Sequence, residues 1–311
     1  MSHDLIKNSK KNYFTKLQNP KSFATYPIYS RVHGIDLEIN FSNPATRGWI
    51  MEMLSTYNCP IWESKEFKKI LGPNHLVTNW IDVTEMLKVT PEEWCDDAND
   101  DLEIIFTDEK EWAFQRDFVG AISGNMINIF CPSNFNDSFF NAVRWFLPRH
   151  LVDFNSLVMH SSAFVDKNGN AHLFVGPSGV GKTTTVTRIM GHEILGDDMI
   201  LISIDGKNVT AQTPVLGQNP RFAGCAGKQF PLKGIHFLQQ GSKVQKKNIS
   251  SLESMRRLSA SVLYPNWQFE NPERLKKISA LIKNFVANTS CDELTLDISM
   301  PFLGVIDESY N

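Results

Sequence analysis

A short glycine-rich segment constrains the fold of this chain more than any other feature. Residues 176–183 read Gly-Pro-Ser-Gly-Val-Gly-Lys-Thr and fit the pattern G-x-x-x-x-G-K-[ST] of phosphate-binding loops. Glycines allow backbone N–H groups to turn inward around phosphate oxygens, where a side chain would block the approach. In this pattern Lys182 reaches the outer phosphates, and the hydroxyl of Thr183 contacts Mg²⁺. We therefore expect ATP and Mg²⁺ as cofactors, with nucleotide contacts from Gly176, Ser178, Gly179, Val180, Gly181, Lys182, Thr183 and Thr184.

The segments on either side of the loop supply the context that such a motif needs. Two apolar runs, 156–165 and 171–175, flank a turn that contains Asn168-Gly169, which predicts a β-hairpin. Residues 183–190 predict a short helix after the loop, and the N-terminus of that helix would add N–H donors and positive potential. In most doubly wound nucleotide folds, a helix precedes the loop strand instead. An antiparallel strand in that place is therefore unusual.

A pair of carboxylates follows the loop. Residues 193–202 predict one further strand beside the loop strand, and it contains Asp197 and Asp198. Side chains alternate along a strand, so the two carboxylates would face opposite sides and have separate roles. A nearby Mg²⁺ would relieve their repulsion. The alternative is an ordinary turn, since Gly-Asp-Asp is common turn chemistry.

Together these residues resemble a known family. His160-Ser-Ser-Ala, the Asn168-Gly169 turn, the loop and the Leu-Gly-Asp-Asp segment look like the HPr kinase/phosphorylase family. They are more distantly similar to the nucleotide half of ATP-dependent phosphoenolpyruvate carboxykinase. The resemblance covers about residues 156–205 and extends more loosely to 230–238. Residues 1–150 do not resemble the N-terminal domain of the HPr kinases, so "HPr-kinase-related" is the better description.

The resemblance implies roles for individual residues. Asp198 would be the general base for an acceptor hydroxyl and Asp197 would support the metal, with the reverse assignment left open. His160 would pair with these carboxylates and tune their proton affinity, although a lone histidine in an apolar strand is more often structural. A cation in the long 214–229 segment could stabilise the transferred phosphoryl group, and Arg221 is the first candidate there. The other cations considered in and just after this segment are Lys228 and Lys233.

Composition describes an ordinary globular chain and excludes several function classes. With 311 residues and a formal net charge of −3, the chain gives no reason to expect nucleic acid or an anionic membrane as a partner. No stretch approaches the roughly 18 apolar residues that cross a bilayer, and the start lacks a signal-peptide run. Five scattered cysteines without a C-x-x-C pattern indicate reduced thiols and a cytoplasmic location.

The rest of the pattern predicts two regions in an α/β chain. Residues 1–150 predict a smaller, largely antiparallel α+β region that could dock an acceptor. Residues 151–311 predict a catalytic domain with a mixed sheet around a P-loop core of the HPr kinase/phosphoenolpyruvate carboxykinase type. Asp137 caps a predicted helix that Pro148 kinks or ends. Ser250-x-x-Glu253 is a capping box for a helix reaching Leu263, and the basic run 243–247 predicts a solvated loop.

These features favour an ATP-dependent kinase that phosphorylates a serine-type hydroxyl of a protein or peptide. A tailoring kinase for a ribosomally made peptide fits this description. The alternatives are a kinase or phosphorylase for free serine or another small molecule, with ADP or pyrophosphate as other donors, and a non-catalytic nucleotide-sensing module. Because the HPr kinases are hexamers, a homo-oligomer is a further expectation from the resemblance.

Overall fold

The structure is a computed structural model. It describes residues 9–18, 25–72, 74–95, 101–107, 110–132, 136–189, 191–215, 220–265, 267, 270–297 and 301–306. The chain divides into two compact units, Met1–Phe146 and Leu147–Asn311. Each unit contains a large mixed sheet with helices, so the fold class is α/β.

The sheet of the first unit has strand order β3-β1-β2-β4-β8-β7-β6-β5 in the described residues. Its strands are β1 (Tyr26–Val32), β2 (Ile35–Phe41), β3 (Ile61–Trp62), β4 (Leu76–Asp82), β5 (Glu103–Phe106), β6 (Glu111–Phe114), β7 (Val119–Ser123) and β8 (Met126–Cys131). Its helices are α1 (Phe14–Gln18), α2 (Pro44–Thr56), α3 (Ser64–Ile70), α4 (Val83–Leu87) and α5 (Pro91–Trp94).

The sheet of the first unit is largely antiparallel in the described residues, but its centre contains two parallel pairs that the sequence does not predict. Strands β2, β4 and β8 pair in parallel at the centre of the sheet, and antiparallel pairs lie on both sides. Parallel neighbours need long crossover connections, and α2 and α3 lie between β2 and β4. Period-two alternation identifies strands such as β2, whose Ile35, Leu37 and Ile39 are buried, but it carries no information about strand direction.

The sheet of the second unit has strand order β10-β9-β12-β13-β14-β16-β15 in the described residues. Its strands are β9 (Ser156–Val165), β10 (Ala171–Val175), β11 (Ile194–Gly196), β12 (Met199–Asp205), β13 (Asn208–Gln212), β14 (Phe230–Gln240), β15 (Gln245–Asn248) and β16 (Ser290–Leu296). Strand β11 pairs with β9, and β10 also pairs in parallel with β14. The loop strand β10 therefore lies between β9 and β14.

The helices of this unit agree with their capping residues and apolar faces in the sequence. Helix α6 covers Asn136–Leu151. The helices that follow it are α7 (Lys182–Thr187), α8 (Ser251–Ser259), α9 (Pro272–Asn288) and α10 (Leu303–Ile306). The side chain of Ser250 accepts the N–H of Glu253 at the start of α8, as the capping pattern predicts. Ile278, Leu281 and Phe285 on one face of α9 are buried in the core of the unit.

Several boundaries differ from the sequence-based expectations. Helix α6 continues through Pro148 to Leu151, because a proline this near the end removes only one hydrogen bond. Helix α8 ends at Ser259, four residues before the predicted Leu263, and the chain then returns to β9 through a bridge between Met159 and Val262. Part of the predicted basic loop is the exposed edge strand β15.

None of the helices in the described residues is long and apolar enough to cross a membrane.

Candidate nucleotide site

The hairpin β9–β10 carries the glycine-rich loop at its end. The two strands pair antiparallel from Val165–Ala171 at the turn to Ser161–Val175 at the loop. At the turn, Asp166 Oδ1 accepts the N–H groups of Asn168 and Asn170, both at 2.8 Å. The predicted hairpin is therefore confirmed, and its turn is fixed by a buried carboxylate.

The loop itself requires glycine at defined positions. Gly179 and Gly181 have φ values of 78° and 105°, in the left-handed region that other residues rarely adopt. A Cβ on Gly176 would lie 2.9 Å from Val180 Cγ1, so a side chain there would displace the loop. The loop leads directly into α7, which begins at Lys182. The predicted strand–loop–helix order is present, although α7 ends at Thr187 rather than Met190.

The Lys182 side chain folds into the curve of the loop. Its Nζ donates to the carbonyl oxygens of Gly176 at 2.9 Å and Pro177 at 3.2 Å. The residue is only 6% exposed, and burial lowers the pKa of the ammonium while the nearby Asp198 charge opposes that shift. These two carbonyl oxygens are weaker acceptors for the ammonium than an anion is. The position of the ammonium is therefore suited to binding an anion in their place.

Ser162 is a site residue that the sequence reasoning did not select. Its buried hydroxyl donates to the carbonyl oxygen of Lys182 at 3.0 Å and so fixes the start of α7 against β9. The sequence signal for it was its place in the His160-Ser-Ser-Ala segment, from which only His160 was selected.

The two aspartates lie in a bend, which corrects the expectation of one continuous strand. Asp197 and Asp198 connect β11 to β12, and both of these strands pair with β9. The expected alternation across a strand therefore does not apply to them. The Thr183 hydroxyl donates to the Asp197 carbonyl oxygen at 3.1 Å, and Ser161 N–H donates to the Asp198 carbonyl oxygen at 3.0 Å. These contacts bring the bend to the start of α7.

His160 lies beside the same bend. Its Nε2 is 3.7 Å from Asp198 Oδ1, a distance suited to an ion pair but longer than a hydrogen bond. The side chains are 39% and 48% exposed, so both remain in contact with solvent. The backbone N–H of His160 donates to the carbonyl oxygen of Ser261 at 2.7 Å, which holds this end of β9 against the segment after α8.

The donor set fits Mg²⁺ and phosphate by its chemistry. The Thr183 hydroxyl donates its hydrogen to the Asp197 carbonyl oxygen, which leaves its own lone pairs for a cation. Hydroxyl and carboxylate oxygens are the ligands that Mg²⁺ prefers. Thr184, also expected at the nucleotide, is exposed on the first turn of α7.

Two of the cations predicted near the 214–229 segment, Lys228 and Lys233, lie near the hairpin turn and away from the loop. Lys233 Nζ lies 3.8 Å from Asp166 at the hairpin turn, which is the opposite end of β10 from the loop. Lys228 pairs with Glu193 at 3.3 Å, and the Glu193 carbonyl contacts Val165 near the same turn. Arg221 belongs to the helical turn Pro220–Cys225, and its side chain lies outside the described residues.

A cavity beside the loop contains two other arginines. Its volume is about 380 Å³, and it is lined by Val175, Gly176, Pro177, Phe237, Leu238, Arg256, Arg257, Ala260 and Ser261. Arg257 contacts Glu253 at 2.6 Å and Glu293 at 2.8 Å, and Arg256 contacts Glu253 at 2.7 Å. These pairs lower the pKa of Glu253 to about 2. The sequence identified the start of α8 but gave no reason to place its arginines beside the loop.

Comparisons with known proteins agree with part of this picture. Residues 132–209 match the family described as phosphoenolpyruvate carboxykinase, and this segment includes the loop and the aspartate pair. The solved HPr(Ser) kinase/phosphatase from Coxiella burnetii is similar at 11% identity, over 49% of this chain and 95% of that one, with a TM-score of 0.27. No curated protein matches.

A TM-score this low supplies no structural argument, so the resemblance depends on the family match and on the residues that carry it. The matched segment indicates a nucleotide-binding, kinase-like enzyme. Over residues 132–209, this chain is similar to the phosphoenolpyruvate carboxykinase family.

Proposed function

We propose that the protein is an ATP-dependent kinase that transfers the γ-phosphoryl group to a serine-type hydroxyl of a protein or peptide, through a P-loop core of the HPr kinase/phosphoenolpyruvate carboxykinase type. One observation carries the proposal. The start of α7 and the bend that bears Asp198 are joined by the hydrogen bond from Thr183 to the Asp197 carbonyl oxygen. That bond supports a single site that would contain Lys182 as the phosphate-binding lysine and the Asp198 carboxylate beside His160.

The loop residues would hold the nucleotide. Backbone N–H groups of residues 176–184 would cradle the phosphates, and the Lys182 ammonium would exchange its two carbonyl contacts for phosphate oxygens. Thr183 and Asp197 would bind Mg²⁺, which supplies charge stabilisation to the phosphates when it is bound. The buried environment of Lys182 would strengthen its attraction to a phosphate.

Asp198 would act as the general base. The acceptor hydroxyl would lose its proton to the Asp198 carboxylate while its oxygen forms a bond to the γ-phosphorus and the bond to the β–γ bridging oxygen breaks. His160 would orient this carboxylate, since its Nε2 lies 3.7 Å away. Asp197, one residue earlier in the bend, is the alternative base.

The cavity beside Gly176 is the proposed place for the acceptor side chain. It begins at the loop and reaches Ser261, whose carbonyl oxygen holds the backbone of His160. A hydroxyl that enters from this side would approach both the loop and the His160–Asp198 pair. Arg256 and Arg257 line the cavity and are candidates, in addition to Arg221, for contacts with anionic groups there.

The remaining parts of the proposal concern partners and setting. The first unit would dock the protein or peptide acceptor, because it has no part in the nucleotide site described above. We propose a cytoplasmic enzyme without nucleic-acid or membrane partners, and a homo-oligomer as its assembly. The free thiol state of the five cysteines is compatible with a reducing compartment.

Mass spectrometry of phosphoryl acceptors tests the proposal. The full-length protein is incubated with Mg²⁺ and ATP, ADP or pyrophosphate, together with serine-containing peptides, free L-serine or oxaloacetate. We expect a mass gain of one phosphoryl group on a serine peptide with ATP. Lys182→Ala should lose nucleotide binding and transfer, Asp198→Asn should bind ATP without transfer, and Lys228→Ala on the surface should behave as wild type.

The same assay decides between the alternatives. Phosphoserine from free L-serine would show a small-molecule kinase, and phosphoenolpyruvate from oxaloacetate would show a carboxykinase. Tight ATP binding without transfer to any acceptor would favour a sensing module, which the His160–Asp198 pair disfavours because a sensor needs no base. Full transfer by the Lys182→Ala variant would overturn the assignment of the loop.

A further inference from the structure

Four buried titratable side chains form a continuous row across the second unit, away from the loop. Asp166 lies at the hairpin turn, His172 on β10, His236 on β14 and Asp292 on β16. All four residues are at most 5% exposed. The row contacts neither the loop nor the aspartate bend, and the proposed kinase mechanism does not use it.

Three close contacts connect the row from end to end. Asp166 Oδ2 is 3.3 Å from His172 Nε2, His172 Nδ1 is 3.0 Å from His236 Nε2, and His236 Nδ1 is 2.8 Å from Asp292 Oδ1. Both nitrogens of both rings are therefore in use. The two rings are nearly parallel, at 12°, and Phe164 and Phe174 pack against them.

The number of contacts fixes the number of protons. Each contact joins two atoms with lone pairs, so each needs one hydrogen between them. Two neutral imidazoles supply only two hydrogens. One of the three contacts would then place two bare lone pairs at 3.3 Å or less inside the protein. Such a buried unsatisfied contact is costly, whereas a third proton satisfies all three contacts.

We propose that His172 and His236 together hold one positive charge between two buried carboxylates, so that the row is a built proton-binding site. His236 carries hydrogen on both nitrogens and donates to Asp292 and to His172 Nδ1. His172 carries hydrogen on Nε2 alone and donates to Asp166. The shorter contact of His236 with its carboxylate, 2.8 Å against 3.3 Å, places the charge on that ring.

The surroundings of the row are compatible with this charge. Two carboxylates and one imidazolium sum to −1, and Lys233 Nζ, 3.8 Å from Asp166, offsets that excess. Burial, followed by the charge of His236, lowers the pKa of His172 to about 4, so the second ring stays neutral. Cys291, beside Asp292, and His192, behind Phe164, are further titratable groups near the row.

The backbone at Gly234 also leaves room for the contact between the rings of His172 and His236. A Cβ on Gly234 would lie 2.8 Å from His236 Nε2 and 3.3 Å from His172 Nδ1. Any other residue at Gly234 would push the rings apart. Because β10 and β14 pair in parallel and both lead to the loop and cavity, the shared charge fastens the two strands that carry the candidate site.

Nitrogen-15 NMR of ring-labelled histidines in the full-length protein tests the proposal directly. At pH 7.5 we expect three protonated nitrogens among the four of the row, two on His236 and one on His172. Single His→Gln variants at the six other positions, 3, 33, 75, 150, 160 and 192, assign the remaining signals. A wild-type spectrum in which each ring carries a single hydrogen would overturn the proposal.

Discussion

Replacement of the buried lysine should separate nucleotide binding from folding. Lys182→Met keeps the length of the side chain and removes the ammonium, whose contacts are the carbonyl oxygens of Gly176 and Pro177. Those two hydrogen bonds stabilise the fold, but burial of the charge opposes them, as the lowered pKa shows. Because the two effects have opposite signs, we expect the free energy of unfolding to change by less than about 2 kcal/mol.

Nucleotide binding should change far more. With a phosphate as acceptor, the ammonium would make about two charge-assisted hydrogen bonds, each contributing roughly 1.5 kcal/mol. Their loss amounts to about 3 kcal/mol, which is a rise in the dissociation constant for ATP on the order of 150-fold. Thermal unfolding with and without Mg²⁺-ATP measures both quantities in one experiment, since a ligand that binds the native state raises the midpoint.

Isothermal titration calorimetry then gives the affinity itself. Lys228→Met is a matched control, because it removes another ammonium whose partner is the exposed Glu193. The control should bind ATP as wild type does. An unchanged affinity in Lys182→Met would refute the assignment of the loop to phosphate. A loss of more than about 3 kcal/mol in unfolding free energy would instead show that the lysine is structural.

Three further predictions follow from single contacts. Thr183→Val should lose the Mg²⁺ dependence of nucleotide binding while Thr183→Ser retains it, as titrations with and without the metal would show. Gly176→Ala should weaken ATP binding at least tenfold, because a Cβ there meets a loop side chain at 2.9 Å, whereas Gly48→Ala has open space and should stabilise its helix by about 0.5–1 kcal/mol. Burial lowers the pKa of His150 to about 4, so unfolding takes up a proton and stability should fall as pH drops from 6.5 toward 4, at up to about 1.4 kcal/mol per pH unit; a His150→Gln variant with the same acid slope would contradict this.

The sequence predicted the parts of the site that depend on local chemistry. Glycine positions, the Asn168-Gly169 turn and the helix after the loop follow from backbone preferences, and the structure contains all three. Helix α9 likewise follows local signals, because Asn271 caps its start and its apolar face has a clear period. Such signals lie within a few residues of the element that they specify.

Features that depend on distant pairing were not predictable in the same way. The aspartates looked like part of one strand, but β9 pairs with two separate strands and the chain must bend between them. Arg256 and Arg257 reach the cavity only because α8 returns to β9 through the contact of Val262 with Met159. Nothing in the local sequence indicates that the ring of His172 meets His236 on β14.

Strand β9, which precedes the loop strand and pairs antiparallel with it, explains how residues close together in the sequence form the site. Strand β9 lies between β10 on one side and β11 and β12 on the other, so its residues face the loop and the aspartate bend at once. Ser162 holds the start of α7, Ser161 holds the carbonyl oxygen of Asp198, and His160 holds the Asp198 carboxylate. Three consecutive residues thus fix the relative positions of the lysine and the proposed base. In a doubly wound fold, a helix connects the loop strand to its neighbouring strand. Consecutive residues of that neighbouring strand would not contact both the loop helix and the proposed base. Replacement of Ser162 by alanine should therefore reduce transfer more than it reduces ATP binding, since it loosens the register between these groups and removes neither of them.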